Sequence, residues 1–250
     1  MGWSEWLLIW TCVALEGCIA WLLLRWRAWR CFPVYSIYIV FILFRACLLV
    51  ASLSHPPTYF WVYWITAPVE ILLTILAELE SFWRVFRSFR LLRWFWLVLP
   101  AAVIATLAYS AWRGYRFPPV EASPAGAAII HAAVTSHYVI LSISILFFLL
   151  AALFHIPWRI HEHRFILGFG VASLAVAFGG SVRAVFGPRL AFVSQQAQPI
   201  GYLIALLIWL SAVIHPLPKE GVVLEPPVEI LGSLKFQLRN LRSFVRKGAR

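Results

Sequence analysis

The sequence predicts an all-α membrane protein, a bundle of seven transmembrane helices with its N-terminus outside and its C-terminus in the cytoplasm. The first observation is composition: of 250 residues, 62% are hydrophobic and 12% are charged, with a mean hydropathy of +0.85. A soluble domain cannot bury that much apolar surface. The second is the recurrence of apolar runs of about 20 residues, the length that crosses a bilayer. The third is an uneven distribution of basic residues between alternate loops.

The membrane domain is predicted to cover residues 1–215. Its spans lie at about 5–25, 34–54, 61–82, 94–112, 129–154, 165–186 and 196–215. Prolines or Pro–Pro pairs fall between most of these runs, as expected of turns. The first run follows the acidic residue Glu5 and precedes three arginines, which is typical of a retained helix and not of a signal peptide.

Orientation follows from the basic residues. Sixteen of the 21 lysines and arginines lie in the loops after spans one, three and five or after residue 215, three lie on the opposite side, and Arg45 and Arg183 lie within spans. Cytoplasmic loops are the ones that collect Lys and Arg. We therefore expect a multi-pass protein of the cell (inner/cytoplasmic) membrane. The net charge of +11 then reports topology, and no nucleic-acid partner is expected.

Three ionisable residues fall near mid-membrane. Glu16 is the twelfth residue of span one, Arg45 the twelfth of span two and Glu70 the tenth of span three. An isolated charge at that depth costs roughly 3 kcal/mol or more, so we expect a Glu16–Arg45–Glu70 cluster in which the arginine fork bridges two acids. The charges sum to −1, so one glutamate is expected to hold a proton or to bond a second donor. A structural triad that fixes packing and a proton- or ligand-coupled site both remain open.

The end of span three is read differently. Glu78 and Glu80 lie 17 and 19 residues into the span, at the predicted inner headgroup level, and Glu80 precedes Arg84 by the spacing of a helical ion pair. This pattern favours an interfacial anchor over a site.

Basic residues on the inner side are predicted to contact anionic inner-leaflet lipids. They are Arg84, Arg87, Arg90, Arg93, Lys235, Arg239, Arg242 and Arg246. The last four belong to the tail, 216–250, where leucines spaced by three and four predict a basic amphipathic helix lying on the membrane. The alternatives are a seam with a second copy of the chain, or a dock for a cytoplasmic protein partner.

A second polar group is predicted near the outer face, as a pocket for a small anion or polar ligand. Its members are His131, His137, Arg183, Gln195, Gln196 and Gln198. The competing interpretation is a solvated helix rim.

No cofactor is expected. The three lysines, Lys219, Lys235 and Lys247, all lie in the tail, so no lysine is placed to hold retinal within the bundle. The cysteines form no C-x-x-C pair, and span five offers His137 no second mid-span histidine for a haem. We expect no metal site.

The run "YFWVYWITAPVEILLTILAELESFWRVFR", Tyr59 to Arg87, combines an aromatic entry, an acidic inner end and an aromatic-basic loop. It resembles span three of uncharacterised seven-helix membrane proteins of the kind common in acidobacterial genomes. The resemblance implies the seven-span outline and a bacterial membrane, and it implies no activity.

With no catalytic domain recognisable, the leading expectation is a non-enzymatic membrane sensor or scaffold that acts through a cytoplasmic partner. The alternative is a small-solute or proton-coupled transporter that uses Glu16, Arg45 and Glu70. An intramembrane haem or metal protein is third.

Overall fold

The computed structural model describes residues 3–87, 89, 95–116, 124–186 and 190–215, and these residues form seven α-helices, one 3-10 turn and no strand. The prediction of an all-helical protein with seven helices is confirmed, and each helix is long and apolar enough to cross a membrane. The helices are α1 (Trp3–Arg25), α2 (Pro33–Ser52), α3 (Pro56–Val85), α4 (Phe95–Arg116), α5 (Pro124–Leu153), α6 (Ile160–Phe186) and α7 (Ala191–Val213).

Each predicted span coincides with one helix. The largest differences are at the starts of four helices, each five residues before its predicted span: α3 at Pro56, α5 at Pro124, α6 at Ile160 and α7 at Ala191. Two of these helices, α3 and α5, begin with a proline. Proline suits the first helical turn because its missing N–H would be unpaired there in any case. Apolarity alone placed the starts too late, because these first turns are less apolar than the span that follows.

Helices α3 and α6 join the two sides of the bundle. Helix α1 packs against α2 and α7, α2 packs against α3, and α3 also meets α5 and α6. Helix α6 contacts α3, α5 and α7, whereas the backbone of α4 lies close to α5 alone among the described helices. Residues of α1, α2, α3 and α7 can therefore meet in one half of the bundle.

The seam between α6 and α7 is the closest approach of two helices. The Trp209 indole lies over Gly168 and donates to the Phe165 carbonyl at 3.0 Å, and Gly201 faces the Ala175 methyl. Small residues at these positions let two helix backbones come together, as is usual between membrane helices. This seam fixes α7, and with it Tyr202, against the rest of the bundle.

Aromatic rings fill the interior between α2, α6 and α7. Tyr35 stacks on Phe165 with ring centroids 3.8 Å apart, and Tyr38 meets Phe169 and Trp209 edge-on at 5.0 and 5.8 Å. All five rings are buried. Such packing holds the polar groups of α2 in fixed positions beside those of α3 and α7.

Two helices contain an internal proline close to a half-buried polar residue of the bundle interior. Pro68 precedes Glu70 by two residues in α3, and Pro199 precedes Tyr202 by three residues in α7. An internal proline removes one backbone hydrogen bond and loosens the turn before it. In both helices the missing hydrogen bond lies just N-terminal to the polar side chain.

Candidate functional site

An ion pair joins α2 and α3. Arg45 Nη1 lies 2.7 Å from Glu70 Oε2, and Arg45 Nε donates to Thr66 Oγ1 at 2.9 Å. The guanidinium also lies 5.4 Å from the centre of the Tyr63 ring. The two charged side chains are 14% and 30% exposed, so the pair sits at the edge of the bundle and not in its sealed centre.

Glu16 lies deeper. The residue is 2% exposed, and its Oε1 accepts a 2.6 Å hydrogen bond from the Tyr202 hydroxyl of α7. Its Oε2 is buried and has no hydrogen-bond partner among the described residues. The carboxyl is close enough to Arg45 and Glu70 to interact with them electrostatically.

The expected bridging arginine is not what the structure shows. The Arg45 fork is occupied by Glu70 on one side and by Thr66 on the other, and Glu16 is bonded to Tyr202 instead. Sequence reasoning missed both hydroxyl partners, because neither carries a charge and Tyr202 comes from the last helix. The structure therefore brings the three predicted residues near one another but gives them different partners. Arg45 and Glu70 form an ion pair, whereas Glu16 accepts a hydrogen bond from the uncharged side chain of Tyr202.

Tyr38 lies between these groups. It is 3% exposed, it reaches Thr74 of α3, and it interacts electrostatically with Glu16, Arg45 and Glu70. We call Glu16, Tyr38, Arg45, Glu70 and Tyr202 the mid-bundle cluster. It draws on α1, α2, α3 and α7.

The Glu78 side chain lies in a different environment from the one that the sequence predicts. We expected it at the headgroup level, yet the residue is 0% exposed and its Oε1 accepts a 2.6 Å hydrogen bond from Ser144 of α5. Its Oε2 is buried and has no hydrogen-bond partner in the part of the chain that the structure describes. The physical reason is that α3 turns this face toward α5 and α6, so distance along the span does not equal distance to solvent.

Glu80 also has different partners from those expected. Its two carboxylate oxygens accept from the backbone N–H groups of Val34 and Tyr35, at 3.3 and 2.9 Å. These amides open α2, and a carboxylate there complements both the unpaired donors and the helix dipole. Glu80 is therefore a cap for a neighbouring helix.

Arg84 turns its guanidinium toward protein groups. Nη1 donates to the Cys31 carbonyl at 2.6 Å, the guanidinium lies 4.3 Å from the centre of the Phe32 ring, and Nε is 3.7 Å from Glu162 Oε1. Arg84 thus contacts the α1–α2 turn and α6, and its expected contact with lipid stays a prediction. Arg87 is exposed. Arg90, Arg93, Lys235, Arg239, Arg242 and Arg246 lie outside the described residues.

The residues of the predicted outer pocket have separate partners. His131 Nε2 lies 3.2 Å from the Ser110 carbonyl of α4, and His137 Nδ1 lies 3.3 Å from Ser173 Oγ of α6. Gln195, Gln198 and Arg183 are exposed and Gln196 is half-buried. Among the hydrogen bonds of the described residues, none links these histidines to these glutamines.

The polar group that the structure does build, near the C-terminal ends of α4 and α6 and beside α5, was not predicted. Arg113 Nη1 donates to the Tyr138 hydroxyl and, at 3.1 Å, to Ser181 Oγ, while Tyr138 and Ser181 are 2.8 Å apart. No pattern in the sequence relates these three residues, since each lies on a different helix. They tie α4 to the rest of the bundle.

Within the described ranges, no group of three or more His, Cys, Asp or Glu residues lies close enough to hold a metal ion. Comparison with protein-family models, with curated proteins and with solved structures finds no match to this chain. The geometry of the mid-bundle cluster and of Glu78 is therefore the evidence from which function is inferred.

Proposed function

We propose that this protein is a proton-coupled membrane transporter in which Glu16 is the carboxyl that takes up and releases the proton. The observation that carries the proposal is the environment of Glu16. It is a buried carboxyl with one hydrogen-bond donor, one oxygen without a hydrogen-bond partner among the described residues, and a nearby cation already engaged by another acid.

The environment of Glu16 allows two arrangements of Arg45, one for each protonation state of the acid. Ionising a buried carboxylate without a counter-charge is expensive, so the protonated form is stable while Arg45 stays on Glu70. When Glu16 ionises, it competes with Glu70 for Arg45, since all three interact electrostatically. The position of Arg45 thus depends on whether Glu16 holds a proton.

The loosened turns at Pro68 and Pro199 support a coupling between that proton and helix geometry. Each precedes a cluster residue, Glu70 or Tyr202, by less than one turn. A shift of Arg45 between two acids would be transmitted to α3 and α7 at the places where their backbone hydrogen bonding is weakest.

The experiment is a flux assay in proteoliposomes that contain a trapped pH-sensitive dye, with a potassium gradient and valinomycin to drive proton entry. Wild-type protein is expected to acidify the lumen faster than protein-free vesicles, and Glu16→Gln is expected to lose that flux. Glu80→Gln is the matched control, because it makes the same change in a carboxylate that binds backbone amides. Equal flux in wild type and Glu16→Gln would contradict the proposal.

The orientation that we propose for the protein in the membrane comes from the distribution of its basic residues. We place the N-terminus outside and the C-terminus in the cytoplasm of a bacterial cytoplasmic membrane, with the tail on anionic lipid. A cysteine-accessibility assay in intact cells tests this, since a cysteine introduced in the tail should react only after the cells are opened.

The sensor or scaffold hypothesis stays a prediction, because it depends on tail residues 216–250, which lie outside the described residues. It expects that deleting the tail removes recovery of a cytoplasmic partner while leaving proton flux intact. The proton-coupled proposal takes precedence here because it is the one that the mid-bundle cluster supports.

A further inference from the structure

One face of α3 carries a polar stripe. Glu70, Thr74, Glu78 and Ser81 follow each other at intervals of four, four and three residues, so they lie on the same side of the helix. The stripe covers about 16 Å of helix length. Thr74, Glu78 and Ser81 are all buried, so this face points into the bundle and not toward lipid.

Hydroxyl groups from other helices meet the stripe. Ser144 of α5 donates to Glu78, and it also reaches the Ile166 carbonyl of α6 at 3.4 Å. Tyr35 of α2 comes in beside Glu80, which accepts its backbone N–H, and its side chain is fully buried. Ser144 thus brings a polar group to this face where α3 meets α5 and α6, and charged groups lie at the ends of the stripe, Arg45 with Glu70 at one and Arg84 with Glu162 at the other.

The buried polar atoms without a hydrogen-bond partner are concentrated along this line. Among the described residues they are Glu16 Oε2, Tyr35 OH, Glu78 Oε2, Ser81 Oγ and Arg84 Nε. The first belongs to the mid-bundle cluster, two belong to the stripe, and Arg84 lies one turn beyond Ser81. In native proteins more than 90% of buried polar groups are hydrogen-bonded. Two of these atoms, on Glu78 and Ser81, lie on the same face of α3 three residues apart, and Arg84 follows one turn later, which points to a shared partner that is not a side chain.

Water is the partner that fits. A buried water makes two to four hydrogen bonds and occupies polar sites that protein groups leave unsatisfied. Glu78 Oε2, Ser81 Oγ and Tyr35 OH can each donate or accept, so a short file of waters would satisfy all three. Such a file would continue from the mid-bundle cluster toward Arg84 and Glu162.

We propose that Glu78 is a proton-storing carboxyl on a hydrated path, formed by the α3 stripe, that connects the mid-bundle cluster to the end of the bundle where Arg84 and Glu162 lie. The inference rests on the proposed function, which it deepens by naming the route. The step is a proton transfer alone. A hydronium ion in the file gives its proton to the Glu78 carboxylate and becomes water, and Glu78 later returns the proton to a water on the other side.

The test is infrared spectroscopy of the purified full-length protein in lipid nanodiscs. Wild type is expected to show a protonated-carboxyl C=O band that is lost in Glu78→Gln. The band should shift within seconds of transfer to D2O, although Glu78 is fully buried. Ser81→Ala, which removes one wall of the path, should slow that shift at least tenfold, whereas Ser142→Ala, on the face of α5 that lines the cleft with α4, should leave it unchanged.

The band can also be assigned without removing Glu78. Ser144→Ala deletes the donor to Oε1 and should move the same band in a folded protein, which covers the case in which Glu78→Gln does not fold. Absence of a protonated-carboxyl band that responds to either variant would overturn the inference. A band that fails to shift in D2O over hours would also overturn it, because a sealed acid is a structural hydrogen bond.

This measurement needs no proton gradient, so the two proposals can fail separately. Rapid exchange at Glu78 together with no flux in wild-type vesicles would reject the transport function and keep the hydrated path. Flux that depends on Glu16 together with a sealed Glu78 would reject only the path.

Discussion

Glu16 of α1 and Tyr202 of α7 are joined by a 2.6 Å hydrogen bond although 186 residues separate them in the chain. The bond closes the bundle between its first and last helices, and it uses the only oxygen of Glu16 that has a hydrogen-bond partner among the described residues. It therefore has two roles. It contributes to the packing of α7 against α1, and it sets how readily the Glu16 proton is lost.

Tyr202→Phe should separate these roles. Removing the hydroxyl leaves both Glu16 oxygens without a donor, and an interhelical hydrogen bond in a membrane protein is worth about 1 kcal/mol. We expect a lower unfolding temperature in detergent and a shift of proton flux to higher external pH, because an ionised Glu16 loses a donor that stabilises it. The flux assay described above, run as a pH series, provides the second readout.

Tyr109→Phe is the control for that variant. The Tyr109 ring is half-exposed on α4 and packs near Trp112 and Tyr138, and its hydroxyl makes no hydrogen bond within the described part of the chain. An equal loss of stability in the two variants would show that the Glu16–Tyr202 bond contributes nothing specific.

Replacing Arg45 and replacing Glu70 should lower the free energy of unfolding by different amounts. Glu70→Gln leaves an arginine that cannot give up its charge, whereas Arg45→Met leaves a glutamate that can take a proton. Breaking a fully buried pair costs 3–5 kcal/mol, and partial exposure of this one reduces the expectation to about 2 kcal/mol for Glu70→Gln. Arg45→Met should cost less.

A double-mutant cycle tests the interpretation. The variant that carries both Arg45→Met and Glu70→Gln should be more stable than Glu70→Gln alone, because no unpaired charge remains. Chemical unfolding in mixed detergent micelles measures the free energy of unfolding of the wild type, of each single variant and of the double variant. Additive losses, with no coupling energy, would mean that the 2.7 Å contact does not stabilise the protein.

Ser144 and Ser142 form a natural pair of test sites on α5. Ser144 Oγ donates to Glu78, whereas Ser142 Oγ donates at 2.8 Å to the Val139 carbonyl of its own helix. Ser144→Ala should lower stability by roughly 1 kcal/mol, since it leaves a buried carboxyl without its donor. Ser142→Ala should stay within about 0.5 kcal/mol of wild type, as expected for a local bond. Equal effects would indicate that the contact with Glu78 is not made.

The seven helices could be predicted because hydropathy is a property of each segment by itself. The partners of the glutamates could not. Glu78 was assigned to the headgroups from its distance along the span, but its donor, Ser144, comes from a helix 66 residues away. Glu80 was paired with Arg84 because the sequence offers that spacing, whereas the structure offers the open amides of α2. Uncharged hydrogen-bond partners that are distant in sequence cannot be identified from the positions of charged residues.

One feature of the site was visible in the sequence and was missed. The spacing of Glu70, Thr74, Glu78 and Ser81 is helical, and it continues past the residues that were assigned to the interface. Testing the polar residues of span three for a common face would have identified Glu78 as part of the site.

Glu80→Ala should weaken the start of α2. The substitution leaves the Val34 and Tyr35 amides unpaired in a half-buried place, and loss of a capping side chain costs about 1 kcal/mol. Hydrogen–deuterium exchange followed by mass spectrometry should show faster exchange over residues 33–37 and little change in α7. Unchanged protection of that segment would mean that the cap is dispensable.

Gly201→Ala and Gly17→Ala make the same chemical change in two different settings, and together they test the α6–α7 seam. A Cβ at Gly201 would lie 2.1 Å from the Ala175 Cβ and 3.6 Å from its Cα, so the methyl can be accommodated only if the two helices move apart. Overpacking of this kind costs about 1–3 kcal/mol. A Cβ at Gly17 meets nothing within 4 Å, and alanine within a helix is favoured over glycine by up to about 1 kcal/mol. We therefore expect Gly201→Ala to lower the unfolding temperature and Gly17→Ala to leave it unchanged or raise it.

Because α7 carries Tyr202 one residue after Gly201, Gly201→Ala should also impair proton flux. Gly17→Ala should leave the flux unchanged even though Gly17 adjoins Glu16. If Gly201→Ala proved as stable as wild type, α6 and α7 would not pack as closely as the structure places them, and the position of Tyr202 against Glu16 would lose its support.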